Sequence, residues 1–293
     1  MKLAGGLGNQ LFQYACGRSL AQKYQSPLTL DISFYHRNLW RRRLGEALVL
    51  GKGLIKPFRF TKTLKQVSNN RRLYNLDKFN LIENIKLIKD NPATDKREQD
   101  PFIFDRKIMQ AGDRLVYEGY FNSYKYFKDI EAELRSELRL KKEFESSLPA
   151  HILKKIVTTD SVSLHVRRGD YVSRPEAGLY HGTLSTDYYQ KATGIIASKA
   201  NKPVFFIFSD DLDWCRQHLP LAHETYFVGG LKNYQDLRLM SLCRRHIIAN
   251  SSFSWWGAWL DPKPEKTIIA PAAWLRERNL KNSDLFPPEW III

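Results

Sequence analysis

From about residue 156 onward the chain alternates strand and helix signals with short connections. Strands are expected over 162–166, 204–208, 225–228, 246–249 and 267–270, and helices over 187–200, 211–218, 234–243 and 253–260. Such alternation predicts a parallel sheet flanked by helices. In a sheet of that kind, ligands bind in the loops past the C-terminal ends of the strands.

The first half is less regular. A short strand is expected over 2–4, then the turn Gly5-Gly6-Leu7-Gly8-Asn9-Gln10 and a helix to about Tyr24. Further strands are expected over 28–30, 102–104 and 114–117. Ser123 is placed to cap an amphipathic helix to about Leu140, with Tyr126, Phe127, Ile130, Leu134 and Leu138 on one side. The polar stretch Lys141–Lys155 carries Pro149 and reads as a linker, so the domains expected are residues 1–150 and 151–293.

A hydrophobic content of 43% and an aromatic content of 13% support packed cores and argue against disorder. No apolar run reaches the roughly 18 residues of a membrane span, and no signal-peptide pattern leads the sequence, so a cytoplasmic protein is expected. Cys16, Cys215 and Cys243 are too widely spaced for a zinc site and odd in number for a disulfide framework; reduced thiols are expected.

The formal net charge of +15 favours anionic partners. Between Arg37 and Arg72 lie eleven Lys and Arg residues and one acid, Glu46. Two readings of this stretch stay open. One is a solvated basic face; the other is a patch that docks an acidic acceptor or holds the protein at the inner face of a membrane. Trp40 stands beside Arg41-Arg42-Arg43, but the aromatic ladder of a nucleic-acid binder is missing. Nucleic acid is therefore not an expected partner.

Three segments carry chemistry. His165-Val166-Arg167-Arg168-Gly169-Asp170 follows the first strand of the regular half. Arginine forks there suit phosphate oxygens and a growing negative charge, and the glycine lets the backbone approach. The plainer reading pairs one arginine with Asp170 as a turn brace and leaves the other for the ligand. Ser209-Asp210-Asp211 follows the next strand, where acids accept hydrogen bonds from a ribose or a guanine N–H edge. Asp210 reads as the nucleotide contact, Asp211 as helix cap or second contact, and Asp213 as surface. Asp211-Leu212-Asp213 also spells the D-x-D through which metal-dependent transferases share a cation with a pyrophosphate.

The third segment, Asn250-Ser251-Ser252-Phe253-Ser254, opens a helix with more hydroxyls than one cap needs, which favours a phosphate site. Trp255, Trp256 and Trp259 read as core. The turn Gly5–Gln10 does not fit G-x-G-x-x-G, yet its backbone can approach a ligand, and Asn9 and Gln10 can orient a hydroxyl. His181 lies beside a turn in Leu179-Tyr180-His181-Gly182. No Ser-His-Asp set, Cys–His pair, HExxH or P-loop is evident, so hydrolase and kinase readings lose weight.

Together these segments resemble the α-1,2-fucosyltransferases of glycosyltransferase family eleven, bacterial type. The matching pieces are Gly5 to Ala15, Gly119-Tyr120-Phe121, Ser163 to Tyr171, His181-Gly182, Tyr188-Tyr189, Phe208 to Asp211 and Ile248 to Gly257. They fall in the family's order over most of the chain, apart from the stretch from about Ser33 to Ile108. The resemblance implies an α/β, GT-B-like fold: two Rossmann-like domains facing each other across a cleft, the first on the acceptor side and the second binding GDP-β-L-fucose. It implies inverting, metal-independent transfer of L-fucose to the 2-hydroxyl of a terminal galactose, in an oligosaccharide or a lipid-linked glycan, with no cofactor.

By motif, the resemblance puts Arg167 on the β-phosphate of the leaving GDP, with Arg168 and Asp170 supporting that loop. Asp210 would meet the guanine or ribose, with Asp211 beside it. Asn250, Ser251, Ser252 and Phe253 would gather around the phosphates, and the backbone near His165 would touch the nucleotide. Gly8, Asn9 and Gln10 would face the acceptor. Three candidates share the role of base. Asn9 corresponds to the asparagine that orients the acceptor hydroxyl in protein O-fucosyltransferases. Glu176 falls just past the arginine loop, where related enzymes keep a carboxylate, and His181 is the third. Donors placed on the departing pyrophosphate stabilise the transition state more than the ground state. Other readings are a transferase for another GDP-sugar or acceptor, a non-catalytic sugar-nucleotide-binding protein and a basic nucleic-acid binder.

Overall fold

The computed structural model describes residues 1–36, 73–173, 175–276, 278–279 and 283–293. The basic stretch 37–72 lies outside them. Among the described residues no helix is long and apolar enough to cross a membrane.

The first half is assembled from very short strands. Helix α1 (Leu7–Lys23) follows the glycine turn, and β1 (Thr29–Asp31), β2 (Lys86–Ile88), β3 (Lys96–Arg97) and β4 (Tyr117–Glu118) follow in order. β1 pairs with β2 and β3 with β4, both in parallel. Lys2 joins the two pairs: it bridges Asp31 in parallel and its N–H donates to the Tyr117 carbonyl at 2.9 Å. The order is therefore β3, β4, Lys2, β1, β2.

Three sequence expectations fail here. The strand expected over 114–117 shrinks to β4, because 113–115 bend and only Tyr117 and Glu118 reach β3. Phe102-Ile103-Phe104 is a turn, not a strand. Its amides go to carboxylates instead of a neighbouring strand: Phe102 N–H donates to Asp100 Oδ1 at 2.9 Å, and Phe104 N–H to Asp284 Oδ2 at 2.8 Å. Ser123 does cap, accepting from Lys125 N–H, but it opens two 3-10 turns, Tyr124–Tyr126 and Lys128–Ile130, and only then does α2 (Glu131–Glu137) begin. A continuous helix would turn Tyr126 and Phe127 about 100° apart. Breaking at Phe127 lets both rings enter the core, Tyr126 against Phe104 and Phe121, and Phe127 stacked on Trp256 at 5.3 Å.

The stretch read as a linker holds a helical turn, Lys142–Glu145, and the start of α3 (Ala150–Thr158). Next come β5 (Asp160–Val166), α4 (Gly169–Ser173), α5 (Pro175–His181), α6 (Thr186–Lys199), β6 (Pro203–Ser209) and α7 (Leu212–His218). β7 (Thr225–Val228), α8 (Asn233–Leu242), β8 (Arg245–Ile247), α9 (Ser252–Trp259) and β9 (Thr267–Ala270) continue the alternation. β10 (Ala273–Leu275) and β11 (Arg278–Asn279) form an antiparallel pair, and β12 (Ile291–Ile292) closes the chain.

The large sheet is all parallel, in the order β12, β9, β8, β5, β6, β7. Counted from β5 this is the 3-2-1-4-5-6 order of a Rossmann sheet, and its winding reverses between β5 and β8. Phe205 and Ile207 of β6 face α6 and α7, packing with Tyr189, Ile196 and Cys215. Val204, Phe206 and Phe208 alternate onto the other face, with Ile156, Leu239 and Met240.

α9 leaves this pattern. Its Trp255, Trp256 and Trp259 belong to the first half's core, with Phe12 and Phe127 and with Leu285, Phe286 and Trp290 of the C-terminal tail. α1 is buried along most of its length because it lies between its own sheet and α9. The glycine turn that follows the first strand meets the start of α9, which follows β8. The C-terminal ends of both sets of strands therefore face each other: the α/β, GT-B-like plan expected from the sequence.

Candidate functional site

β5 and β8 part at the winding reversal, and their following loops hold the residues singled out above. β5 delivers Arg167 and Arg168 just past Val166; β6 delivers Asp210 and Asp211 just past Ser209. Arg167 Nη1 lies 2.7 Å from Asp210 Oδ2, and Arg168 N–H donates to Asp210 Oδ1 at 2.9 Å. A Cβ on Gly169 would lie 2.6 Å from Asp210 Oδ2, so only glycine lets the loop close over that carboxylate. Burial pushes the Asp210 carboxyl up. Arg167 and the N–H groups of Gly169 and Arg168 outweigh it and hold the group below its usual value.

Asp210 was expected to read the guanine or ribose. Its two oxygens are instead committed to the arginine loop, which makes it the anchor that aims Arg167. Asp211 caps α7, accepting from Trp214 N–H at 3.2 Å, and takes Arg168 Nε at 3.1 Å. The Arg168 guanidinium also lies over the Trp214 ring at 4.0 Å. Among the described residues, the carboxylates meeting the two arginines come from the end of β6; the side chain of Asp170 lies outside the described ones. Asp213 is 89% exposed and pairs with Arg216 at 2.8 Å, so the two acids of the D-x-D are engaged separately. Among the described residues no three His, Cys, Asp or Glu are grouped as metal ligands.

Beside the arginine loop stands the start of α9: Tyr171 Oη donates to Asn250 O at 3.1 Å. Ser251 is its cap, accepting from Phe253 N–H at 3.3 Å. Ser252 Oγ donates to Asn9 Oδ1 at 2.7 Å, tying this helix start to the first half. Gly8 makes the closest approach: a Cβ there would lie 2.4 Å from Phe253 N. Gln10, expected to orient an acceptor hydroxyl, is fully buried. Its amide donates to Leu73 O at 2.8 Å and accepts from Asn75 N–H at 3.0 Å, so it braces the fold instead.

His165 is buried beside Phe253 at 5.7 Å, and its Nδ1 has no hydrogen-bond partner. Burial lowers its pKa to about 4, with Arg167 adding to the shift and Asp210 opposing it, so the ring is neutral at neutral pH. His181 stacks on Tyr171 at 4.7 Å and 11°. Glu176 falls in α5, with its side chain outside the described ones. Asn250 Nδ2 donates to the carbonyls of His181, Gly182 and Trp274 at 3.1, 3.1 and 3.2 Å.

Two arrangements were missed in the sequence. Ser163 Oγ lies 2.8 Å from His246 Nδ1, and His246 Nε2 lies 3.0 Å from Asp261 Oδ2. This is a Ser-His-Asp line, but all three residues are fully buried, so it serves as a strut between β5, β8 and the end of α9. The other is Asp236 in α8. Its Oδ1 is buried without a partner, and burial alone pushes its pKa up to about 7. One turn later Met240 lies against Gly257 of α9. Both helices follow strands of one parallel sheet and run the same way, so Asp236 lies level with Phe253 at the start of α9. In the sequence it looks like any surface acid on a helix; only its burial marks it.

The sequence pattern described as Glycosyl transferase family 11 matches residues 103–293. Alpha-1,2-colitosyltransferase of Escherichia coli is 32% identical, with 100% of this chain and 97% of its own length covered. The O-antigen biosynthesis glycosyltransferase WbnK of Escherichia coli is 34% identical, covering 99% of this chain and 98% of its own length. Among solved structures, the fucosyltransferase NodZ from Bradyrhizobium is 13% identical and covers 89% of this chain and 92% of that one, with a TM-score of 0.48. The full-length match to two bacterial glycosyltransferases and the family pattern spanning the arginine loop and α9 lead to one conclusion: the chain belongs to glycosyl transferase family 11.

Proposed function

We propose that the protein transfers L-fucose from GDP-β-L-fucose, with inversion and without a metal, to the 2-hydroxyl of a terminal galactose. The acceptor is a galactose-terminated oligosaccharide or lipid-linked glycan on the cytoplasmic side of a membrane. The observation that carries this reading is the Arg167–Asp210 pair, 2.7 Å apart beside the winding reversal.

As the glycosyl bond breaks, the β-phosphate gains negative charge. Arg167, already aimed by Asp210, and the positive end of α9 act on that charge without reorganising. They are therefore worth more in the transition state than in the ground state. At the other end of the nucleotide, Asp236 supplies an unpartnered carboxylate for the N1–H and N2–H groups of guanine. Asn9, held by Ser252, positions the acceptor side against the donor. Glu176 and His181, on the α5 side of the arginine loop, are the alternatives for the base.

A second reading keeps the machinery and changes the sugar. The full-length likeness to a colitosyltransferase favours colitose as the sugar transferred.

The test measures GDP release from GDP-fucose with lactose, N-acetyllactosamine or a β-1,3-linked galactose disaccharide, with EDTA present. Acceptor-stimulated release, with fucose found on the galactose 2-hydroxyl, is the expected result. Arg167→Ala is expected to lower kcat by about 10²–10³, the usual loss for one donor at a developing charge. Near-normal turnover in that variant sinks the phosphate role. Activity lost in EDTA and restored by Mn²⁺ would return the Asp211–Asp213 pair to consideration as a metal site.

A further inference from the structure

Beyond the arginine loop lies a cavity of about 630 Å³, in the size range of small-molecule sites. Tyr171 lines it, and the Arg167 guanidinium stands over the Tyr171 ring at 5.5 Å, so phosphate site and cavity adjoin. His181, stacked nearly flat on Tyr171, extends that wall. Leu184, Ala273 and Leu275 give the lining an apolar part, beside Thr183 and Arg276.

Asn250 also lines the cavity and is 2% exposed. Three carbonyls around its Nδ2 fix which way the amide points. Its Oδ1 is then an acceptor, buried and without a partner. A buried acceptor left without a donor is uncommon in a folded protein, and a ligand hydroxyl is the group that completes it. Phosphate does not: it brings acceptors to an acceptor.

We propose that this cavity is the glycosyl subsite, holding a 6-deoxyhexose whose ring hydroxyl donates to Asn250 Oδ1 and whose C6 methyl rests on the Leu184–Leu275 wall. The proposal rests on the donor reading above and moves Asn250 from the phosphates to the sugar. It also orders the donor along the sheet edge: guanine toward Asp236, phosphates at Arg167 and α9, sugar past Tyr171.

Ala273 is exposed on β10 and lines the cavity, so Ala273→Trp narrows the cavity while leaving Arg167 and Asp210 unaltered. GDP and GDP-fucose are titrated separately by calorimetry. The expected result is an unchanged Kd for GDP, at least a tenfold weaker Kd for GDP-fucose and loss of transfer. Wild-type binding and transfer of GDP-fucose overturn the subsite. Loss of GDP binding in the variant alone also overturns it, because the cavity would then hold the nucleotide. Failure of the unaltered protein to bind GDP would instead overturn the donor reading itself. A second measurement needs no variant: GDP-L-galactose differs from GDP-L-fucose by one hydroxyl on C6. The apolar wall predicts at least a tenfold preference for the fucosyl donor in kcat/KM, and equal use removes that wall from the argument.

Discussion

Asp210 and Asp236 stand near the same winding reversal under opposite conditions. Asp210 has a guanidinium and two backbone donors to offset its burial; Asp236 has none, and its pKa rises to about 7. A folded value above the usual 3.8 costs nothing at low pH, where both states are protonated. The cost grows as pH climbs toward the folded pKa and reaches on the order of 4 kcal/mol above it. Asp236→Asn is therefore expected to raise Tm at pH 8 and leave it unchanged near pH 4. The same change is expected to weaken GDP about tenfold to a hundredfold at pH 8, the range for a hydrogen bond to a charged group. It should also erase any preference for GDP over IDP, whose base lacks the 2-amino group. Calorimetric scans at the two pH values and paired nucleotide titrations check both halves. A variant that loses stability at pH 8 while keeping GDP affinity contradicts the assignment.

At the scale of elements, the contact between α1 and α9 sets the geometry between the halves. Gly8 faces backbone, not a side chain that could swing away, with Ser252 C and Phe253 N both 2.4 Å from where a Cβ would stand. Gly8→Ala is expected to destabilise by about 1–3 kcal/mol, the usual cost of overpacking. It should also lower kcat by displacing Ser252 from Asn9, and weaken GDP by shifting the start of α9 that meets its phosphates. Urea unfolding and steady-state kinetics read these effects. How much the sequence revealed also differs by element. The long strands of the second half were legible because runs such as Val204–Phe208 leave no other reading, and charges mark where each strand ends. β1 to β4 are two or three residues long, too short to show a period, and Phe102–Phe104 imitates a strand while its amides serve carboxylates. The arginine loop was legible for its unusual composition. The pairing of the arginines with Asp210 and Asp211, the commitment of Gln10 and the importance of Asp236 were not, because each depends on residues distant in sequence or on burial alone.

For the whole molecule, the first half does not own its core. Trp255, Trp256 and Trp259 from α9 and Leu285, Phe286 and Trp290 from the tail fill it. The tail is fastened there by Trp255 Nε1, which donates to Leu285 O at 2.9 Å, and by Lys125 paired with Asp284 at 2.5 Å. One cooperative unfolding transition is expected, with tryptophan fluorescence and far-ultraviolet circular dichroism changing together in urea. Residues 1–150 expressed alone are expected not to fold. Two separated transitions, or a folded 1–150 fragment, would contradict the shared core.

That shared core has a consequence on the ribosome. Phe12 and Phe127 are made early, but the tryptophans and the tail that cover them come last. At synthesis rates of about 5–20 residues per second, an apolar surface made by residue 140 waits roughly 8–30 seconds for residue 290. Throughout that interval the nascent chain carries an open aromatic face, so yield in the cell should depend on holding chaperones and on translation speed over the second half of the message.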